Sequence, residues 1–279
     1  MDNVSCIRDA SSPPSVRPTV SVVIPALNEE RNLPHVASRM PFDIDEIVFV
    51  NGRSVDNTAA VARELWPTAV HVDQTRTGKG NALACGFAAA SGDIIVMIDA
   101  DGSTDPAEIP SYVGALMAGA DFAKGSRFIQ GGGSEDITKL RRVGNKALNG
   151  LVNFLFGTKY TDLCYGYNAF WRRCLDAMQL PSIAADCAQW GDGFEIETLI
   201  NVRVAGSELN VIEVCSHEYS RIHGISNLNA VSDGLRVLST IGSEFRNRRA
   251  SRDSAPATVA RLQSVKPPDA GDLAFVRGA

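Results

Sequence analysis

Residues 94–106, IIVMIDADGSTDP, set five apolar side chains in a row, Ile94 to Ile98, and follow them with two carboxylates one residue apart, Asp99 and Asp101, ahead of a Gly-Ser-Thr-Asp-Pro turn. A strand with one face in water alternates apolar and polar residues. A run without alternation has no side to offer solvent, so it belongs to a sheet covered on both faces. The same design recurs outward from this stretch. "TVSVVIPAL" gives way to "NEERNLPHVASRM", and "EIVFVN" leads through "GRSVD" into "NTAAVARELW", where Ala60, Val61 and Leu65 fall at helical spacing. "AVHVD" precedes "GKGNALACGFAAA", and "DFAKGSRF" follows the helical "PAEIPSYVGALMAG". Apolar runs separated by helical segments predict an α/β fold with a doubly wound, mostly parallel sheet and helices on both faces.

The chain has 279 residues, 44% of them hydrophobic, enough for a sizeable core. A net charge of -5 argues against nucleic acid as a partner, because a phosphate-neutralising protein shows a basic face. Six cysteines without a CxxC pair suggest neither a zinc knuckle nor a disulfide framework, and fit a reducing cytoplasm. No stretch approaches the ~18–20 apolar residues of a membrane span. Residues 1–18, rich in Ser and Pro, read as a flexible leader; 19–245 read as one folded domain; 246–279, without sustained periodicity, read as a disordered tail.

The second half has a different texture. In "KLRRVGNKALNGLVNFLFG", Leu140, Val143, Ala147, Leu151 and Phe154 or Leu155 form a helical stripe, with Arg141, Arg142, Asn145, Lys146 and Asn149 largely opposite. Such a helix either packs its stripe on the core or rests on a membrane surface. A final helix, "NLNAVSDGLRVLSTIGSEF", is expected to bury Leu228, Val231, Leu235, Leu238, Ile241 and Phe245.

In open parallel sheets, ligands sit beyond the carboxyl ends of the strands. That rule gathers Asn28 and Glu29, Asn51 to Asp56, Asp73, Asp99 with Asp101, and Lys124 to Arg127 at one rim. Asp99 and Asp101 can be turn residues, since Asp caps turns readily. As a pair at i and i+2 they can also hold a hard cation such as Mg2+ or Mn2+ on a diphosphate. The glycines around Lys79 in "TGKGN" would let backbone approach a phosphate.

The series "VVIPALNEERN", "VFVNGRSVDNT", "GKGNALACGFAAASGD", "IDADGSTDP" and "AKGSRF" resembles family 2 glycosyltransferases of the GT-A fold, with Asp99-Ala100-Asp101 at the DxD position. The resemblance implies inverting transfer from a nucleotide-sugar donor, with 19–130 binding the donor and 131–245 the acceptor. It places Pro25, Leu27, Asn28, Glu29, Asn51, Asp56, Lys79 and Asp99 at the donor, and the metal on Asp99 and Asp101. Asn51 and Gly52 replace the family's usual pair of aspartates, which leaves the base, UDP or GDP, open. "GSRF", "TDLCYGYNAFWRR", "DGFEIET" and "YSRIHGISN" further resemble the polyprenyl-phosphate sugar synthases. That likeness implies a lipid-phosphate acceptor received by Arg127 and by Arg141 or Arg142, peripheral contact with the inner membrane face through helix 139–156, and Arg221 on the leaving diphosphate. Asp101, Arg127, Arg221 and Glu195 are the expected catalytic set. Transfer to a hydroxyl of a soluble metabolite, glycan or peptide stays as an alternative, and a non-catalytic sugar-nucleotide-binding protein as a further one.

Overall fold

A computed structural model of the chain describes residues 17–225 and 230–254. Its elements run β1 (Val20–Ala26), α1 (Leu33–Ser38), β2 (Glu46–Asn51), α2 (Thr58–Leu65), β3 (Val70–Asp73), α3 (Lys79–Ala89), β4 (Ile94–Met97), α4 (Ile109–Met117), β5 (Phe122–Ser126) and β6 (Gly133–Ser134). They continue with α5 (Lys139–Phe156), β7 (Asn168–Trp171), α6 (Leu175–Met178), α7 (Ile196–Gly206), β8 (Val211–Cys215), β9 (His217–Glu218) and α8 (Ala230–Ser254). Seven strands form one sheet in the order β3-β2-β1-β4-β7-β5-β8, and β6 pairs with β9 in a small second sheet. All pairings are parallel except those of β7, which runs antiparallel between β4 and β5.

The uninterrupted apolar runs are buried on both faces. On one face Val20, Val22 and Ile24 of β1 pack with Leu33, Val36, Trp66 and Tyr112 from the α1, α2 and α4 side. On the other, Val23 joins Leu83 and Phe87 of α3 and Leu199 and Ile200 of α7. The two faces of one strand thus feed two separate core layers. A third cluster joins Val152 and Phe156 of α5, Val202 of α7, and Val237 and Ile241 of α8.

Helix α5 has the expected bounds, and of the two placements open to its apolar stripe it takes the outward one. Leu140, Val143, Ala147, Leu151 and Phe154 are exposed, Phe154 at 85%, whereas Asn145 and Asn149 are buried. The inner face is an asparagine ladder at i, i+4 and i+8 that satisfies an irregular loop. Asn145 Nδ2 donates to Asp162 at 2.8 Å, Asn149 Oδ1 accepts from Leu163 N at 2.7 Å, and Asn153 bonds both N and O of Tyr160 at 2.8 Å. Backbone that has no strand or helix partner must find side chains, and α5 supplies them. In α8, Val237 and Ile241 are buried while Leu235 and Leu238, expected inside, are exposed. The helix also continues through Ser254, past the boundary at 245, with Arg248 over the Phe156 ring at 5.8 Å. Residues 1–16, Leu228 and 255–279 lie outside the described residues.

Candidate active site

A cavity of about 640 Å³ opens beyond the carboxyl ends of the strands. Pro25, Leu27 and Glu29 reach it from the end of β1, Gly52 from β2, Gln74 and Lys79 from β3, Asp99, Asp101 and Ser103 from β4, and Arg127 from β5. Gly166, Glu197, Arg141 and Arg221 come from the second half of the chain.

Two chains of ion pairs organise the floor. Lys79 Nζ lies 2.6 Å from Asp99 Oδ1 and 2.6 Å from Glu197 Oε1. Arg221 reaches Asp101 Oδ2 at 3.0 Å and Glu29 Oε1 at 2.8 Å. Burial alone would lower the Lys79 pKa, but the charges of Asp99 and Glu197 outweigh it and hold the ammonium above its ordinary value. Burial pushes the Glu29 carboxyl up, against the hydrogen bonds from Asn32 and Arg221. Asp101 also plays the turn part: its Oδ1 accepts from Ser103 N at 2.9 Å, as an Asp at a tight turn does. Capping and facing the cavity are compatible, since one oxygen serves each. Arg221 sits in a strap, residues 219–225, that crosses the mouth. Tyr219 N donates to Ser103 O at 2.8 Å, and His223 O accepts from Asn32 at 3.1 Å.

The lining fits a divalent cation. Six carboxylates, Glu29, Asp99, Asp101, Asp136, Glu197 and Glu218, stand against four cations, Lys79, Arg127, Arg141 and Arg221, leaving a formal charge of -2. Among the described residues no three metal-ligating side chains converge as a cage. The carboxylates of Asp99 and Asp101 are the oxygen donors that Mg2+ or Mn2+ would use there, beside water and substrate phosphates.

Arg127 forms part of the wall but is largely committed. Its Nε and Nη2 donate to Asp162 at 2.7 and 2.9 Å, its Nη1 to Glu218 at 2.9 Å, and its guanidinium lies over Tyr165 at 4.7 Å. Arg141, paired with Asp136 at 3.0 Å, stands nearer the mouth. Several expected site residues face elsewhere. Asn28, at φ 58, accepts from Val55 N at 2.9 Å; Asn51 braces the next turn through Ser54 N and reaches Asp73; Asp56 caps Thr58 and binds Glu30 N. Arg142 covers Phe128, and Glu195, only 2% exposed, accepts from Gly191 N and Gly193 N. The carboxylate that does enter the cavity is Glu197, two residues further on in the first turn of α7. The glycines beside Lys79 admit backbone of residues 191–193 in place of a phosphate: Gly80 N donates to Asp192 O at 2.7 Å. Gln74, buried and anchored on Gly52 O at 3.3 Å, lines the cavity and carried no motif signal in the sequence.

A mostly parallel sheet with one antiparallel insertion, over strand-end carboxylates and a bridging strap, is the architecture of a GT-A glycosyltransferase. The chain belongs to glycosyl transferase family 2, whose model matches residues 21–178. It is 33% identical over 229 residues to polyprenol monophosphomannose synthase of Mycolicibacterium smegmatis, covering 78% of this chain and 84% of that one. Dolichol-phosphate mannosyltransferase of Pyrococcus furiosus is 32% identical over 205 residues, 70% of this chain and 55% of the relative, so the chain spans little more than half of that protein. Among solved structures, glucosyl-3-phosphoglycerate synthase from Mycobacterium tuberculosis in complex with Mg2+ and UDP superimposes with a TM-score of 0.62 at 25% identity, over 81% of this chain and 79% of that one. The protein is therefore an enzyme of the glycosyltransferase class, and it groups with the polyprenyl-phosphate sugar synthases.

Proposed function

We propose that this enzyme moves a hexose from a UDP- or GDP-sugar to a polyprenyl phosphate presented at a membrane surface. The observation that carries the acceptor is α5. Its apolar stripe faces outward while its N-terminal turn brings Arg141 to the cavity mouth, so one helix joins a lipid-seeking face to the site. Lys139 and Lys146, exposed on the same helix, would add positive charge toward an anionic surface. Among the described residues no helix is long and apolar enough to cross a membrane.

Pro25 and Leu27 would flank the base, and Asp99 and Asp101 would hold Mg2+ or Mn2+. The bound ion would neutralise charge on the donor diphosphate. Arg221, held by Glu29, would donate to the departing diphosphate as its charge grows. Arg141 and the remaining N–H groups of Arg127 would receive the acceptor phosphate. A phosphate oxygen then bonds to the anomeric carbon while the bond to the diphosphate oxygen breaks, inverting that carbon. The acceptor is already anionic at neutral pH, so no strong base is required, and Glu195, turned away from the cavity, supplies structure. A soluble acceptor is the second reading, favoured by the fold shared with a synthase crystallised with phosphoglyceric acid.

The test is a donor screen: UDP- and GDP-hexoses, with and without Mn2+, scored by nucleoside diphosphate release with polyprenyl phosphate present or omitted. Release that needs both the metal and the lipid phosphate is expected. Release driven equally by phosphoglyceric acid or another soluble acceptor would reject the lipid acceptor.

A further inference from the structure

The TGKG and DGFEIET segments lie far apart in the chain and meet backbone to backbone. A Cβ at Gly78, which has φ 124, would lie 2.1 Å from Asp192 O, and one at Gly80 would lie 1.8 Å from Gly191 O. Only glycine permits this approach. Arg76 locks the dock by gripping both Asp192 oxygens at 2.8 Å. The dock places Lys79, the first residue of α3, beside Glu197 in the first turn of α7. Gly166 leaves room for the pair, because a Cβ there would sit 2.3 Å from Glu197 Oε1 and 3.4 Å from Lys79 Nζ.

The ammonium is thus shared evenly between Asp99 and Glu197, 2.6 Å from each. A divalent cation that binds Asp99 Oδ1 meets a positive charge already on that oxygen, and two cations on one carboxylate oxygen repel strongly in a partly buried site. Glu197 offers the ammonium a second carboxylate at the same distance, so it can leave Asp99 without becoming an unpaired buried charge. We infer that Lys79 is a resident counter-cation of Asp99, and that Glu197 is a positioning residue that takes up the ammonium when a divalent cation occupies the Asp99–Asp101 pair. The site exchanges one cation for another. This rests on the proposal that the cavity binds a divalent cation together with a nucleoside diphosphate.

The exchange makes Glu197 act on metal affinity through Lys79, and a double-mutant cycle isolates that coupling. Mn2+ binding to the full chain, in the presence of UDP or GDP, is measured by the electron paramagnetic resonance of free Mn2+ and by calorimetry. The proteins are wild type, E197Q, K79M and E197Q/K79M, each checked by circular dichroism and thermal melting. E197Q is expected to weaken Mn2+ binding about tenfold, as coupling between close charges of this kind would give. K79M is expected to tighten it. Opposite signs separate the exchange from misfolding, which would weaken both. In the K79M background, E197Q is expected to change the Kd by less than about twofold. An unchanged Kd in E197Q, or a tenfold loss that persists without Lys79, would overturn the inference, since Glu197 would then be idle or would act directly on the ion. A wild type that binds neither Mn2+ nor either nucleoside diphosphate would remove the donor-site proposal as well; binding of both without coupling removes the exchange alone.

Discussion

Phe154 is the most informative single position on α5. Its side chain is 85% exposed and lies outside the cluster that Val152 and Phe156 build with α7 and α8. Moving a phenylalanine side chain from water into an apolar phase contributes up to roughly 3 kcal/mol, and insertion to interfacial depth recovers about 2 kcal/mol of it. At about 1.4 kcal/mol per factor of ten, F154S should lower the partition coefficient onto vesicles roughly 30-fold. Stability should move by no more than about 0.5 kcal/mol, because an exposed side chain gives up no packing. The assay is cosedimentation with vesicles of mixed neutral and anionic phospholipid over a range of lipid concentrations, beside a thermal melt of the free protein. An unchanged partition coefficient would refute membrane docking through α5. A clear drop in Tm would show that Phe154 packs inside the protein. A change in sedimenting mass without a change in partition would assign the stripe to self-association.

Asp101→Asn should abolish metal-dependent transfer, a loss of more than about a hundredfold if the metal supplies several kcal/mol to the leaving group, while circular dichroism stays that of wild type; retention of full rate would return Asp101 to turn chemistry alone. Asp162→Asn should be severe for the fold, because Asp162 is fully buried and takes bonds from Arg127 and Asn145; removing one partner of such a pair costs about 3–5 kcal/mol, readable by urea denaturation. The same carboxylate sets an acid limit. Burial would raise its pKa, but hydrogen bonds and charge from Arg127 prevail and hold it below the ordinary value. Its contribution is therefore fully present above about pH 4 and lost as pH falls through the lower folded-state value; Tm measured from pH 7 down to pH 3 should fall more steeply in wild type than in D162N, and parallel curves would contradict the assignment.

The sheet was legible because continuous apolar runs admit few alternatives. Ile94 to Ile98 had to be covered on both faces, and the carboxylates that follow had to emerge at the ligand rim. Glu29, Asp99 and Asp101 reach the cavity from strand ends; Lys79, singled out by its flanking glycines, and Arg221, expected only from the family resemblance, line it as well. Three kinds of information were not local. Periodicity finds the stripes of α5 but cannot say which one faces the protein. That depends on the loop at 158–163, whose unpaired backbone groups draw Asn145, Asn149 and Asn153 inward and leave Phe154 outside. Likewise Glu195 and Glu197 share a motif, and only the start of α7 determines that Glu195 closes the Gly191–Gly193 turn while Glu197 enters the cavity. Antiparallel β7 is the third case: its place and direction are set by pairing with β4 and β5, remote segments that "YNAFW" by itself does not specify.

The most direct measurement is the fate of the sugar itself. The purified 279-residue chain is incubated with radiolabelled UDP- or GDP-hexose, Mn2+ and a polyprenyl phosphate in vesicles, and the products are partitioned between organic and aqueous phases. Transfer to lipid phosphate predicts label in the organic phase as an acid-labile glycolipid, formed only when metal and polyprenyl phosphate are both present. Label confined to a water-soluble glycoside, or organic label independent of the metal, would contradict it.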